Sequence, residues 1–145
     1  MHGHEISGAF GAWLTEFDWE LFVTLNLNTT TTVRTAERYF HKFCQKLDRR
    51  ILGRRWDRHR ERRTLIIGVP EHLHSNFHFH CLMLRRGHLD LPMHRVMHHI
   101  EAAWPSVVKS GTSHFRTIED LRGLTGYLGK ETWKRENYNA IVFSP

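Results

Sequence analysis

The chain has 145 residues, the size of one ordinary domain, and its 40% hydrophobic content suits a single modest core, which excludes a disordered or fibrous protein. No apolar run is long enough to cross a membrane, and the start Met1-His2-Gly3-His4-Glu5 lacks the charged-then-apolar order of a signal peptide, so a soluble, reducing compartment is expected. The formal net charge is +6 with a pI near 9.8, which points to a polyanionic partner rather than an acidic or neutral role.

Residues 1–20 mix glycine with Phe10, Trp13, Phe17 and Trp19 and read as an N-terminal arm or short helix packed on the domain. Leu21 to Asn28 is apolar and β-branched, a first strand. The threonine run Thr29 to Thr32 ends it and supplies a helix cap. From Val33 to about Leu52, Ala36, Phe40, Phe43, Leu47 and Ile51 recur at helical spacing, and Gly53 is a stop signal. Residues 54–63 form a basic connection. Thr64 to Val69 and Phe77 to Leu84 are the second and third strands, close enough for a hairpin. Leu91 to Trp104 reads as a helix with Pro92 in its first turn and Pro105 at its end. A strand over Thr112 to Ile118, a helix from Glu119 to about Lys134 carrying Leu121, Leu124 and Leu128 on one stripe, and a short strand at Ala140 to Phe143 complete the chain. This order suits an α+β domain, a central mostly antiparallel sheet flanked by helices, spanning 1–145 without a second domain. The strand order is left open.

The charge is local. Ten Lys/Arg and three acids lie between Lys42 and Arg63, a local +7 that accounts for the whole excess. Arg54, Arg55, Arg58, Arg60, Arg62 and Arg63, interleaved with Trp56, are candidates to grip a phosphate backbone and stack a base. A solvated surface without a partner is the alternative reading. Cys44 and Cys81 are far apart and form no Cys-x-x-Cys pair, so no cysteine zinc site is expected.

Three features carry chemistry. In Phe77-His78-Phe79-His80, strand alternation puts His78 and His80 on one face, about 7 Å apart along the strand, where both rings can reach one ion. With 13 histidines in the chain, an ordinary hydrogen-bonded pair is the competing reading. Glu71, at the other arm of the predicted hairpin, would add a carboxylate and leave coordination positions open, as a catalytic ion requires. His72, His74 and Asn76 compete for that role, and a solvated turn position is the alternative for Glu71. Third, Tyr127 and Lys130 are three apart on a predicted helix and share a face, from which both can address one phosphate. A phenol is a weak nucleophile at neutral pH and needs a cation nearby. Taken alone, the Tyr-x-x-Lys spacing is a weak signal and Tyr127 reads more readily as a buried structural tyrosine. His94 and His98, at i, i+4, lack a His-Glu-x-x-His pattern and are not expected to form a second metal site.

The apolar strand Phe22-Val23-Thr24-Leu25-Asn26, the His78-Phe79-His80 strand with Glu71 upstream, and the helix with Tyr127-x-x-Lys130 stand in the order found in the HUH endonuclease superfamily. The chain most resembles its single-tyrosine rolling-circle replication initiators, over roughly residues 21–134. The resemblance implies a ferredoxin-like nuclease palm in which His78, His80 and Glu71 hold Mg²⁺ or Mn²⁺. It implies that Tyr127 attacks single-stranded or hairpin DNA at a replication origin, giving a 5′-phosphotyrosine and a free 3′-OH, with Lys130 placing the tyrosine or stabilising phosphate charge. It also implies a plasmid or viral replicon working in the host cytoplasm, or the nucleus of a eukaryotic host. No Gly-x-x-x-x-Gly-Lys-Ser/Thr pattern is present, so the expected helicase and polymerase are separate proteins. A single-tyrosine transposase and a non-catalytic DNA-binding module are the alternatives carried forward.

Overall fold

The computed structural model describes residues 3–72, 75–132 and 142–143, with side chains for 9–72 and 75–128. The elements run α1 (Gly3–Leu14), β1 (Leu21–Asn26), α2 (Val33–Leu52), β2 (Leu65–Glu71), β3 (His78–Leu84), α3 (Met93–Val107), β4 (Thr112–Thr117), α4 (Leu121–Thr132) and β5 (Val142–Phe143). The five strands form one sheet in the order β4-β1-β3-β2-β5, and every pairing is antiparallel. The β1-α2-β2-β3-α3-β4 portion is a split β-α-β motif. The fold class expected from the sequence is the one observed.

The sheet has two buried faces because side chains alternate along each strand. On one face Leu21, Val23 and Leu25 of β1, Ile66 of β2, and Phe79, Cys81 and Met83 of β3 meet α2 and α3. Phe40 lies against Phe79 with ring centroids 5.3 Å apart, and Phe43 meets Trp104 edge-on at 5.6 Å. Gly68 lies under Phe40: a Cβ there would come within 2.6 Å of the ring, so β2 approaches α2 this closely only without a side chain. Burial raises the thiol pKa of both Cys44 and Cys81, which are free and serve as small apolar groups.

The opposite face buries Phe22, Ile67, Val69 and Leu82 under α1 and α4, through Leu14, Trp19 and Leu128. The N-terminal segment is thus a helix followed by an aromatic turn, and it buttresses α4. A Cβ on Gly11 would meet the Thr125 carbonyl oxygen at 3.3 Å, which locates the close crossing of the two helices.

Several boundaries differ from expectation. β1 stops at Asn26, because Asn28 adopts φ 56° and its amide donates to the Ser110 carbonyl and to Thr112 Oγ1. β2 starts one residue later than expected and runs on through Pro70 to Glu71. α3 begins at Met93 with Pro92 as its cap and continues through Pro105 to Val107. Pro105 forfeits one hydrogen bond to the carbonyl of Glu101, an exposed position that water can satisfy, while the Val108 N–H still bonds Trp104 O at 2.9 Å. The basic connection is not a plain loop: Trp56–Arg58 and Arg60–Arg62 form short 3-10 turns. Residues 133–134 and 140–141, placed by sequence in the last helix and strand, lie outside the described residues.

Asp48 fastens the end of α2 to the start of β2. Its carboxylate accepts from Arg63 Nε at 2.7 Å and from the Thr64 N–H at 2.9 Å, and both side chains of the ion pair are buried. Removing one partner of a buried pair leaves an uncompensated charge. Asp48→Ala should therefore cost about 3–5 kcal/mol of stability. Chemical denaturation measures this, and a loss below about 1 kcal/mol would show the pair to be energetically idle.

Candidate active site

The site forms on the α1/α4 face, at the edge of that face's apolar cluster. β2 and β3 pair so that Glu71 lies opposite His78 and Val69 opposite His80, while β1 places Thr24 opposite His80 on the other side. The two-residue period puts Glu71, His78, His80 and Thr24 on one face. The rings of His78 and His80 have centroids 4.7 Å apart, closer than the strand rise alone gives. Both imidazoles are about 15% exposed and Glu71 13%, so the cluster is mostly sheltered yet open on one side.

Glu71 Oε2 lies 2.8 Å from His78 Nε2 and 2.6 Å from His80 Nε2. His78 Nδ1 is 2.8 Å from the Asn76 carbonyl, which can only accept, so Nδ1 carries a proton. In a neutral ring Nε2 is then a lone pair facing a carboxylate oxygen. That contact is favourable only with positive charge between the two atoms, from a second ring proton or from a metal ion. The donor atoms of Glu71, His78 and His80 all lie within 4.8 Å of one another, and theirs is the one such ligand group among the described residues. These three residues fit a metal ion, and the mixed carboxylate and imidazole set suits a borderline or hard divalent cation.

Further groups hold the ligands. His80 Nδ1 and Thr24 Oγ1 are 3.1 Å apart, and the Phe22 ring stacks on His80 at 5.3 Å. The turn between β2 and β3 places His72 at φ 54° and Asn76 at φ 50°, left-handed conformations uncommon for histidine and tolerated by asparagine. They aim the Asn76 carbonyl at His78. Burial opposes ionisation of Glu71, but hydrogen bonds from Tyr127 and His78 and the charge of His80 outweigh it and pull the carboxyl down to about 2. Glu71 is therefore a carboxylate at neutral pH.

Tyr127 completes the site from α4. Asp120 starts this helix, its Oδ1 accepting from the Gly123 N–H at 3.0 Å. Leu128 is fully buried against the sheet, with Leu121 and Leu124 beside it. Tyr127, next to Leu128, faces outward over the site. Its hydroxyl donates to Glu71 Oε1 at 2.8 Å, its ring centroid is 6.2 Å from that of His80, and the residue is 43% exposed. A buried structural role for Tyr127 does not describe it.

The sequence-derived candidates divide. Glu71, His78, His80 and Tyr127 come together. The side chain of Lys130 lies outside the described residues, as does His74. His72 is exposed and stacks near His78 without entering the ligand set. Arg54, Arg55, Arg58, Arg60 and Arg62 are exposed, but their segment enters β2 at Leu65, six residues from Glu71 and so about 20 Å from the site. Arg63 departs from its expected role as a backbone contact: it is turned inward onto Asp48, and its guanidinium covers the Trp56 ring at 4.8 Å from the centroid. That face of Trp56 is closed to a base. Thr24 and the Asn76 carbonyl had no identifiable role in the sequence, because only strand register and turn conformation reveal them. Comparison with family models, curated proteins and solved structures gave no match.

Partners that orient a metal-ligating histidine typically contribute 10- to 100-fold in affinity. Thr24→Val keeps the shape and removes the hydroxyl, and it should weaken Mn²⁺ binding by about tenfold or more. A calorimetric or paramagnetic titration measures this. Unchanged affinity would mean that His80 is oriented without Thr24.

Proposed function

We propose that this chain is a metal-dependent endonuclease and strand transferase that cuts single-stranded DNA through a covalent bond to Tyr127, as a member of the HUH superfamily acting in initiation of rolling-circle replication. The observation that carries this reading is the Tyr127 hydroxyl at 2.8 Å from the same carboxylate that faces both His78 and His80. An exposed phenol on a helix flank has no structural need to meet a candidate metal ligand. A nucleophile has that need, because its target phosphate must contact both.

Glu71, His78 and His80 would hold Mg²⁺ or Mn²⁺, which supplies positive charge beside a phosphate oxygen. The chain's own residues do the rest. Tyr127 Oη forms a bond to phosphorus as the bond from phosphorus to the 3′ oxygen breaks. The phenolic proton goes to water, Glu71 orienting the hydroxyl through its hydrogen bond, and the departing 3′ oxygen takes a proton from water. The products are a 5′-phosphotyrosine and a 3′-OH. The intermediate keeps the phosphodiester's energy, so the reverse attack by a 3′-OH rejoins strands.

Incubating the protein with a pool of labelled single-stranded oligonucleotides and Mn²⁺, followed by a denaturing gel, should show a protein–DNA adduct. The adduct should vanish with chelator and fall by a factor on the order of a thousand or more in Tyr127→Phe. An adduct of equal yield in Tyr127→Phe would rule out this nucleophile. No adduct across a diverse pool, from protein that binds Mn²⁺ in the titration above, would leave a DNA-binding module as the better reading.

A further inference from the structure

A row of positive charge lies away from the site just described. α2 buries Ala36, Phe40, Phe43 and Leu47 against the sheet face opposite Glu71, His78 and His80. Its outward face carries Arg34, Arg38, Lys42 and Arg49, all exposed and none with an ion pair or side-chain hydrogen bond among the described residues. Fifteen residues separate the first from the last, about 22 Å of helix, and the first three step by about 6 Å. The two acids of α2 lie off this row by helical phase: Glu37 sits beside the apolar stripe and Asp48 is buried against Arg63. Arg54 and Arg58 are exposed in the segment that follows the helix.

An unpaired row of cations costs folding energy through self-repulsion and offers none back. Four kinds of polyanion could take it up: a protein, a membrane, a single strand or a duplex. A protein or membrane partner would need apolar anchors among the charges, and the large exposed hydrophobics among the described residues are Leu89 and Tyr127, neither of them on α2. A single strand would need open aromatic faces on which to stack bases. Tyr39 packs into the core and Trp56 has one face covered by Arg63. A straight row without aromatics contacts phosphates alone, and double-stranded DNA presents them at a fixed spacing of about 3.4 Å per strand.

We infer that the outer face of α2 is a second nucleic-acid site that binds the backbone of double-stranded DNA on the layer opposite Tyr127. It would hold the duplex that flanks the cut while the melted strand occupies the sheet face. The choice of DNA as the polyanion rests on the nicking activity proposed above.

The quadruple variant Arg34→Gln/Arg38→Gln/Lys42→Gln/Arg49→Gln tests it, with thermal unfolding as the check on folding. Binding of a fluorescent mixed-sequence 20-base-pair duplex is followed by anisotropy as salt is raised, beside adduct formation on a short single strand. The expected result is at least tenfold weaker duplex binding and a salt slope reduced by about 0.9 per lost contact, with adduct formation unchanged. Equal duplex affinity in variant and unmodified protein overturns the inference, as does a parallel loss of duplex and single strand. An unmodified protein that binds no duplex also overturns it and leaves an acidic protein as the partner. If the unmodified protein forms no adduct but the folded variant loses the duplex, the nicking reading fails and this surface stands.

Discussion

The antiparallel register between β2 and β3 is the constraint on which the site depends. It sets Glu71 opposite His78 and leaves His80 one pleat along, so three ligand atoms from two strands share one side of the sheet. A slip of one residue in β3 would turn both histidines into the α2/α3 core and bring Phe79 and Cys81 out. The slip is opposed by the packing of Phe79 against Phe40 and by the fully buried Leu82 on the other face. The same hydrophobic burial that holds the fold together thus fixes the geometry of the polar cluster. Thr24, Phe22 and the Asn76 carbonyl then orient the rings that the register has placed on one side.

The two faces of the sheet divide the labour. The α2/α3 side is a closed apolar core in which Trp104 Nε1 donates to the Asn26 carbonyl at 2.8 Å. The α1/α4 side is apolar only where the helices lie, and beyond them it opens onto Glu71, His78 and His80. Tyr127 belongs to neither strand, so its position depends on how α4 docks. That docking rests on Leu128 from below and on α1 from the side, through the close approach at Gly11 and Thr125. The N-terminal helix thus bears on the placement of Tyr127 through α4.

How much of this can be read from the residues depends on what kind of information each feature needs. Strand alternation is a local property, so the shared face of His78 and His80 follows from their spacing alone. The hairpin that adds Glu71 needs only chain proximity, and the Leu121, Leu124, Leu128 stripe puts Tyr127 on a helix flank. Thr24 is 56 residues from His80, and a threonine in an apolar strand looks like any β-former until the pairing is known. The role of Asn76 is a backbone carbonyl in a left-handed turn, to which its side chain gives no clue. Arg63 looks like its neighbouring arginines, and only the buried Asp48 sets it apart. Pro105 reads as a stop because proline breaks helices, but near a helix end it loses a single bond that solvent replaces.

Placing the charge on the outer face of α2 also has a consequence for the metal ligands. Cations beside His78 and His80 would oppose both a bound metal ion and protonation of the rings, while drawing the phosphate in. With a helix layer and a sheet between them, the Arg34–Arg49 row is set apart from the ligands, and its charges face water and salt, which weaken their effect at a distance. Its reach into solvent on its own side is unimpaired, and there it would raise the encounter rate with the proposed DNA partner. A single basic pocket would have to compromise between attracting the polyanion and holding the cation. Two layers would let the protein do both, with the carboxylate of Glu71 keeping negative charge in the group that could hold a metal ion.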